Sequence, residues 1–338
     1  MFRRLFNSQQ TGLVLVILLL GAVLTIFAGS HPDRLTGKPI NNFLNSYTLM
    51  QTATDASFFA IMAVGATLVI ISGGIDLSVG SIYALAGVTM ALVLRRFAVD
   101  SVWLAAGICV GIGLASGLVN GLMVTGLKVH PFIITLGTMW VLRGVAFVTS
   151  QAESILVPDA LTEVAKANLG LGAALYPVPM LLMLVVTAVG AVYLSRSVPG
   201  RYVYAVGCNV NAARYSGLNV NRILIGVYVL SGLTAGIAAF IGTSYYGSAS
   251  CADATGYELY VIASAVVGGA SLSGGKGSAI NAMLGAVLIV LIRVAIRQLR
   301  FDQNYEWIII GCAIIIAVVL DQASARLATR RLTSGGKS

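Results

Sequence analysis

Ten apolar runs, most of them long enough to cross a lipid bilayer, follow one another along this chain with only short polar clusters between them. They cover residues 12–29, 53–71, 82–94, 102–125, 131–149, 178–194, 223–246, 257–272, 278–296 and 305–320. About 20 apolar residues in a helix cross about 30 Å of hydrocarbon. In lipid an unpaired backbone amide is costly, so such runs take a conformation that bonds internally. The third and eighth runs are short, and both adjoin breaks rich in Gly and Ser. Composition agrees: 58% of the 338 residues are apolar and 10% charged, where a soluble domain has about 25% charged. An ordinary cytosolic enzyme is excluded. The expected fold class is all-α, a polytopic integral membrane protein of about ten transmembrane helices with Gly-rich breaks. Residues 1–11 are expected to form a cytoplasmic N-terminal segment, 12–322 the transmembrane domain, and 323–338 a cytoplasmic tail.

Orientation follows from the cations, because short cytoplasmic loops carry the Lys/Arg excess. With the N-terminus inside, twelve cations and one acid, Asp321, lie on the cytoplasmic side, against eight cations and ten acids outside. Arg143 and Asp76 fall within or beside spans. Both termini are therefore expected in the cytoplasm, and the net charge of +9 reports orientation rather than a nucleic-acid patch. The first run follows Arg3 and Arg4 and ends at Ala28-Gly29-Ser30, as a signal peptide does. Its apolar core is longer than the usual h-region of about 7–15 residues, so it is expected to stay as an anchor.

Other chemistries find little support. The cysteines, at 109, 208, 251 and 312, share no obvious outer compartment, no CxxC occurs, and His31 and His130 are far apart. Neither a disulfide framework nor a metal centre is expected. Residues 269–278 tempt a phosphate-loop reading. A Walker A motif, however, needs Gly six positions before its Lys and Ser/Thr directly after it; here Ala270 and Gly277 flank Lys276 in those places. Neither a nucleotide site nor a hydrolytic constellation is expected on this chain.

Polar interruptions of apolar stretches carry more information. Residues 72–81, SGGIDLSVGS, put three glycines and Asp76 inside a hydrophobic segment. Non-helical backbone at membrane depth is tolerated only where it faces protein or a water-filled cavity. Asp76 caps the next helix, lines a permeation path together with Ser78, or does both. A second break, 268–278, repeats the GG, LS and GS elements, as two related halves of a transporter would. The fourth run carries Gly107-x3-Gly111 and Gly113-x3-Gly117-x3-Gly121, faces suited to close helix packing, with Asn120 as an interhelical or cavity-facing group. The fifth opens at Pro131, carries Thr135, and places Arg143 about 18 Å along its axis. Arg143 either faces a polar path or snorkels to the interface from a shifted span.

The most patterned polar segment is 195–222, between the sixth and seventh runs. A short amphipathic helical pattern is bracketed there by Gly and carries Arg196, Arg201, Arg214 and Arg222. It reads either as a positive-inside interfacial loop or as a docking surface. Its stretch GRYVYAVGCNVNAARYSGLNV resembles the coupling segment of permease subunits in bacterial ribose-type sugar ATP-binding-cassette importers. SGGIDLSVGS, PFIITLGTMWVLRG and GYELYVIASAVVGGASLSGGKGS resemble three further signatures of that family, in the family's order, from about residue 60 to 321. The chain departs from the pattern at Cys208, where Gly is usual, and at Pro199, where Phe is frequent.

The resemblance implies a pathway formed by two permease subunits, identical or related. Cytoplasmic ATPase subunits, which hold the ATP and Mg, would dock on Gly200, Arg201, Ala205, Gly207, Asn209, Ala213, Arg214 and Gly217. A periplasmic or extracellular binding protein would deliver a monosaccharide, ribose-like or another. The chain would bind no cofactor of its own and sit in the bacterial inner membrane. Candidate path residues are Asp76, Ser78, Asn120, Thr135, Arg143 and Ser273. On the outer side, Arg95, Arg96, Arg297 and Arg300 either receive acidic groups of the binding protein or snorkel at the interface. Related permeases carry amino acids, and the 72–81 signature favours sugars over that alternative. An ion-coupled carrier would need its own mid-membrane acids, with Asp76 the candidate, and a scaffold or receptor would not need Gly-rich breaks.

Overall fold

A computed structural model describes residues 8–32, 37, 39–171, 174–312, 315–316 and 319. The chain ends bearing Arg3, Arg4, Asp321, Arg326, Arg330, Arg331 and Lys337, and the expected tail 323–338, lie outside the described residues, as do Arg34 and Lys38. The first helix, α1 (Ser8–Phe27), already takes up part of the expected N-terminal segment. It leads through a small hairpin, β1 (Ser30–Pro32) with β2 (Pro39–Asn41), to α2 (Ser46–Ile71). Asn45 caps α2 by accepting the Thr48 N–H, the usual use of a short polar side chain at that position. Next come α3 (Val79–Phe97), α4 (Val102–Leu127) and α5 (Pro131–Ser150). Pro131 stands in the first turn of α5, where its missing N–H leaves no helix bond unmade.

Beyond these lie β3 (Ile155–Leu156), the short α6 (Asp159–Ala165) and α7 (Val178–Arg196). The patterned segment forms α8 (Val198–Cys208) and α9 (Val210–Tyr215) before α10 (Val220–Tyr246). Then β4 (Ser248–Ala249), which pairs antiparallel with β3, precedes α11 (Tyr257–Val267) and α12 (Ala279–Gln298). Residues 305–312 are again helical.

Among the described residues, eight helices are long and apolar enough to cross a membrane: α1 to α5, α7, α10 and α12. They match eight of the ten runs. The run at 257–272 does not make a full span. Its helix, α11, has 11 residues, about 16 Å at 1.5 Å per residue, roughly half the hydrocarbon thickness. It stops at Gly268, after which Gly269 takes a φ of +91°. The run at 305–320 extends past the described residues.

Packing explains the glycines. A Cβ on Gly113 or Gly117 of α4 would strike the backbone of Gly232 or Tyr228 in α10, and one on Gly232 or Gly236 would strike Gly113 or Cys109. Lipid gives helices no hydrophobic reason to associate, so close backbone approach supplies the attraction. The Gly107 and Gly111 pair of the same helix meets only open space. At the centre stands α2, buried without interruption from Ala56 to Ser72 between α7, α10, α11 and α12. Leu15, Leu18, Trp103, Trp140 and Val148 are exposed on the outside, as a surface wetted by lipid requires.

Candidate functional site

After Ile71 the chain turns back on itself, with Gly73 at a φ of +84°, so that α3 starts inside the bundle. Asp76, 1% exposed, anchors this turn. Its Oδ1 accepts the Ser78 N–H at 2.9 Å and the Ser78 hydroxyl at 2.6 Å. Its Oδ2 accepts the Ser231 hydroxyl of α10 at 2.8 Å. Asn120 of α4 donates to Ser78 Oγ at 2.7 Å, and Thr135 of α5 donates to the Ile75 carbonyl at 3.1 Å. Four of the six candidate path residues thus meet at one point, where three donors compensate a carboxylate removed from water. The side-chain oxygen of Asn120 is buried without a partner, the one unsatisfied acceptor of this cluster.

Arg143 turns inward instead of snorkelling. It is 9% exposed, and its Nη1 donates to the carbonyls of Cys251 at 2.8 Å and Asp253 at 2.6 Å, its Nη2 to that of Ala254 at 3.3 Å. These bonds draw the loop between β4 and α11 into the bundle, against the start of α3, where a Cβ on Gly80 would run into the Ala254 carbonyl and the Glu258 carboxylate. Burial pushes the Asp253 carboxyl of this loop above its ordinary value, while the Ser250 N–H and the Arg143 charge act the other way. Arg143 therefore belongs to the loop rather than to the Asp76 cluster.

The segment expected to dock a motor is two short helices at a bend. Ser197 caps α8 by accepting the Gly200 N–H at 2.9 Å, and Asn209 caps α9 by accepting the Ala212 N–H at 3.0 Å. Gly200 is pressed against the Tyr193 carbonyl, and Gly207 against the Ile71 carbonyl and the Gly275 amide. Tyr204 donates to the Gly277 carbonyl at 2.8 Å, and the Gly275 N–H donates to Ile71 at 2.8 Å. Both Gly-rich breaks therefore sit side by side under α8. Ala213 is buried with Val206 and Val220, and Gly217 ends α9 at a φ of +82°. Facing outward are Arg201, Ala205 and Arg214, beside Tyr215, which is 91% exposed. Ser273 is exposed in the second break, apart from the Asp76 cluster.

At the opposite end of the bundle, Arg95 and Arg96 close α3 and line a cavity of about 520 Å³ with Gln151 and Glu153. Arg300 is exposed just past α12. Arg297 stands 3.6 Å from Asp55, and Arg293 is paired with Glu306 at 2.7 Å.

The family described as branched-chain amino acid transport system / permease component matches residues 48–318. The chain belongs to this family. Relatives of the permease include the ribose import permease protein RbsC of Escherichia coli (strain K12), 37% identical over 325 residues and 95% of each chain. The D-allose transport system permease protein AlsC of the same organism is 34% identical over 307 residues, 90% of each chain. The fructose import permease protein FrcC of Rhizobium meliloti is 32% identical over 286 residues, covering 83% of the permease and 79% of the relative. No solved structure matches. The permease is a multi-pass transport component, and the matched region contains both breaks, α8, α9 and Arg143.

Sequence reading missed several residues that hold these places. Ser231, the Tyr204 hydroxyl and the carbonyls of Cys251, Asp253 and Ala254 were not singled out. Ser231 carried a faint signal, a polar residue in mid-span. The carbonyls carried none, because every residue has one.

Proposed function

We propose that the permease is the membrane-spanning subunit of an ATP-binding-cassette importer that moves a monosaccharide into the bacterial cytoplasm. The observation that supports this best is the 32–37% identity, over most of the chain, to proteins named for ribose, allose and fructose import. ATP would be bound and hydrolysed, with Mg, on a separate cytoplasmic subunit docked on α8 and α9 through Arg201, Ala205 and Arg214. Gly200, Gly207, Asn209, Ala213 and Gly217 would set the shape of that surface.

In this reading both termini, with residues 1–11 and 323–338, face the cytoplasm. Ten segments enter the inner membrane, α11 reaching only half way. A second permease subunit completes the pathway. Asp76, Ser78, Asn120 and Thr135 face it when it opens, Ser273 moves with the second break, and Arg143 positions the deep loop. Arg95, Arg96 and Arg300 meet acidic groups of an external binding protein, while Arg297 stands apart from them, 3.6 Å from Asp55. The test is ATP hydrolysis by the permease reconstituted with its ATPase and binding protein. Ribose, allose or fructose is expected to stimulate it and leucine is not; stimulation by leucine alone would overturn the sugar assignment.

A further inference from the structure

Between the outer ends of α2 and α12, a cavity of about 330 Å³ is lined by Val294 and by the polar side chains of Tyr47, Thr48, Gln51, Asp55, Arg297 and Gln298. We infer that this cavity is a monosaccharide-binding site of the permease itself. Asp55, Gln51 and Arg297 would take the sugar hydroxyls, and Tyr47 would cover its C–H face. The inference rests on the sugar reading above and adds a place where the membrane subunit holds its cargo.

A sugar presents neighbouring hydroxyls, each both donor and acceptor, around a ring with apolar faces. Its site needs planar groups that engage two hydroxyls at once, of both polarities, and an aromatic side chain for the ring. The cavity offers a carboxylate that only accepts, a guanidinium that only donates, two amides that do both, and a phenol. Its volume falls at the small end of ligand sites, about 300–1,000 Å³.

The polar groups are also braced. Asp55 Oδ1 accepts the Gln51 side-chain N–H at 3.1 Å, and Gln51 in turn accepts the Tyr245 hydroxyl at 3.1 Å. Gln298 donates to the Asn42 carbonyl at 3.1 Å. Groups fixed in advance lose little freedom when a ligand arrives. Asp55 and Arg297 approach only to 3.6 Å, well beyond the about 2.7–2.9 Å of a charge-assisted hydrogen bond. Each therefore keeps bonding capacity that a tight ion pair would consume. Tyr47 is 58% exposed, at the rim of a polar hollow.

The test is saturation-transfer NMR with ribose, allose and fructose on the full chain in lipid nanodiscs. Wild type, Tyr47→Ala, Asp55→Asn and, as a control for loss of an exposed ring, Trp140→Ala on α5 are compared. Wild type and Trp140→Ala are expected to give the same saturable signal. Asp55→Asn and Tyr47→Ala are expected to weaken it about tenfold, the worth of one strong hydrogen bond or one stacked ring. Tyr47 is exposed enough that its removal leaves folding intact. Sugar binding by Tyr47→Ala equal to wild type would overturn the site. So would an absent wild-type signal in a permease whose reconstituted complex still answers sugar with ATP hydrolysis; the sugar reading would then survive. A complex that answers leucine alone would remove both.

Discussion

Asp76 has three donors arranged around it, and they lie on two different elements. Replacing it with Ala strands those donors in a buried site, at a cost of about 1–3 kcal/mol for each donor left unsatisfied. A clearly lower unfolding midpoint is expected for Asp76→Ala in detergent, whereas Ser231→Ala, which removes one bond, should cost about 1 kcal/mol. An unchanged midpoint for Asp76→Ala would mean the cluster does not hold the turn. Glycines supply a paired test. Gly113→Leu should separate α4 from α10 and abolish folded protein in size-exclusion profiles, while Gly111→Leu, with open space around it, should elute as wild type. Much of this scale was legible in advance: Asp76, Ser78, Asn120 and Thr135 stood out as polar groups in apolar surroundings, and the structure brings those four together. Which way Arg143 points was not legible, because spacing places a residue along a helix without stating which neighbour its face meets.

Elements are where apolarity was both informative and misleading. Eight runs form helices long and apolar enough to span, with ends shifted by three residues at α3, which starts at Val79 rather than 82, and by seven at α2, which starts at Ser46 rather than 53. The run that became α11 looked equally greasy. Hydrophobicity records removal from water and does not distinguish lipid from protein interior, so a half-length helix packed against α2 and α12 reads like a span. The Gly268-Gly269 pair was the legible stop. The same glycine logic makes α8 testable. Gly207→Val drives a side chain into the Ile71 carbonyl, and overpacking of this kind costs about 1–3 kcal/mol. Uptake per ATP hydrolysed is expected to fall while hydrolysis persists. Normal uptake in Gly207→Val would remove α8 from the coupling path.

Charge organises the whole molecule. Close contact of Gly121 with Ile225 sets the end of α4 beside the start of α10, so Lys128, Arg196, Arg201, Arg214 and Arg222 gather at the end of the bundle that carries both Gly-rich breaks. Arg95, Arg96, Arg293, Arg297 and Arg300 gather with most of the acids at the other. The charges of the described residues thus fall at two ends of different character, one rich in cations and the other mixing cations with acids. A membrane-impermeant maleimide should label the exposed Cys208 of a Cys312→Ser chain in inside-out vesicles and not in right-side-out ones; the reverse would invert the orientation. The most direct measurement is uptake of labelled ribose, allose and fructose into proteoliposomes containing the permease, its ATPase and the binding protein. Accumulation of one of these sugars that requires both the ATPase chain and ATP is expected. Equal uptake by the permease alone, without ATPase or ATP, would contradict an importer whose motor lies on another chain.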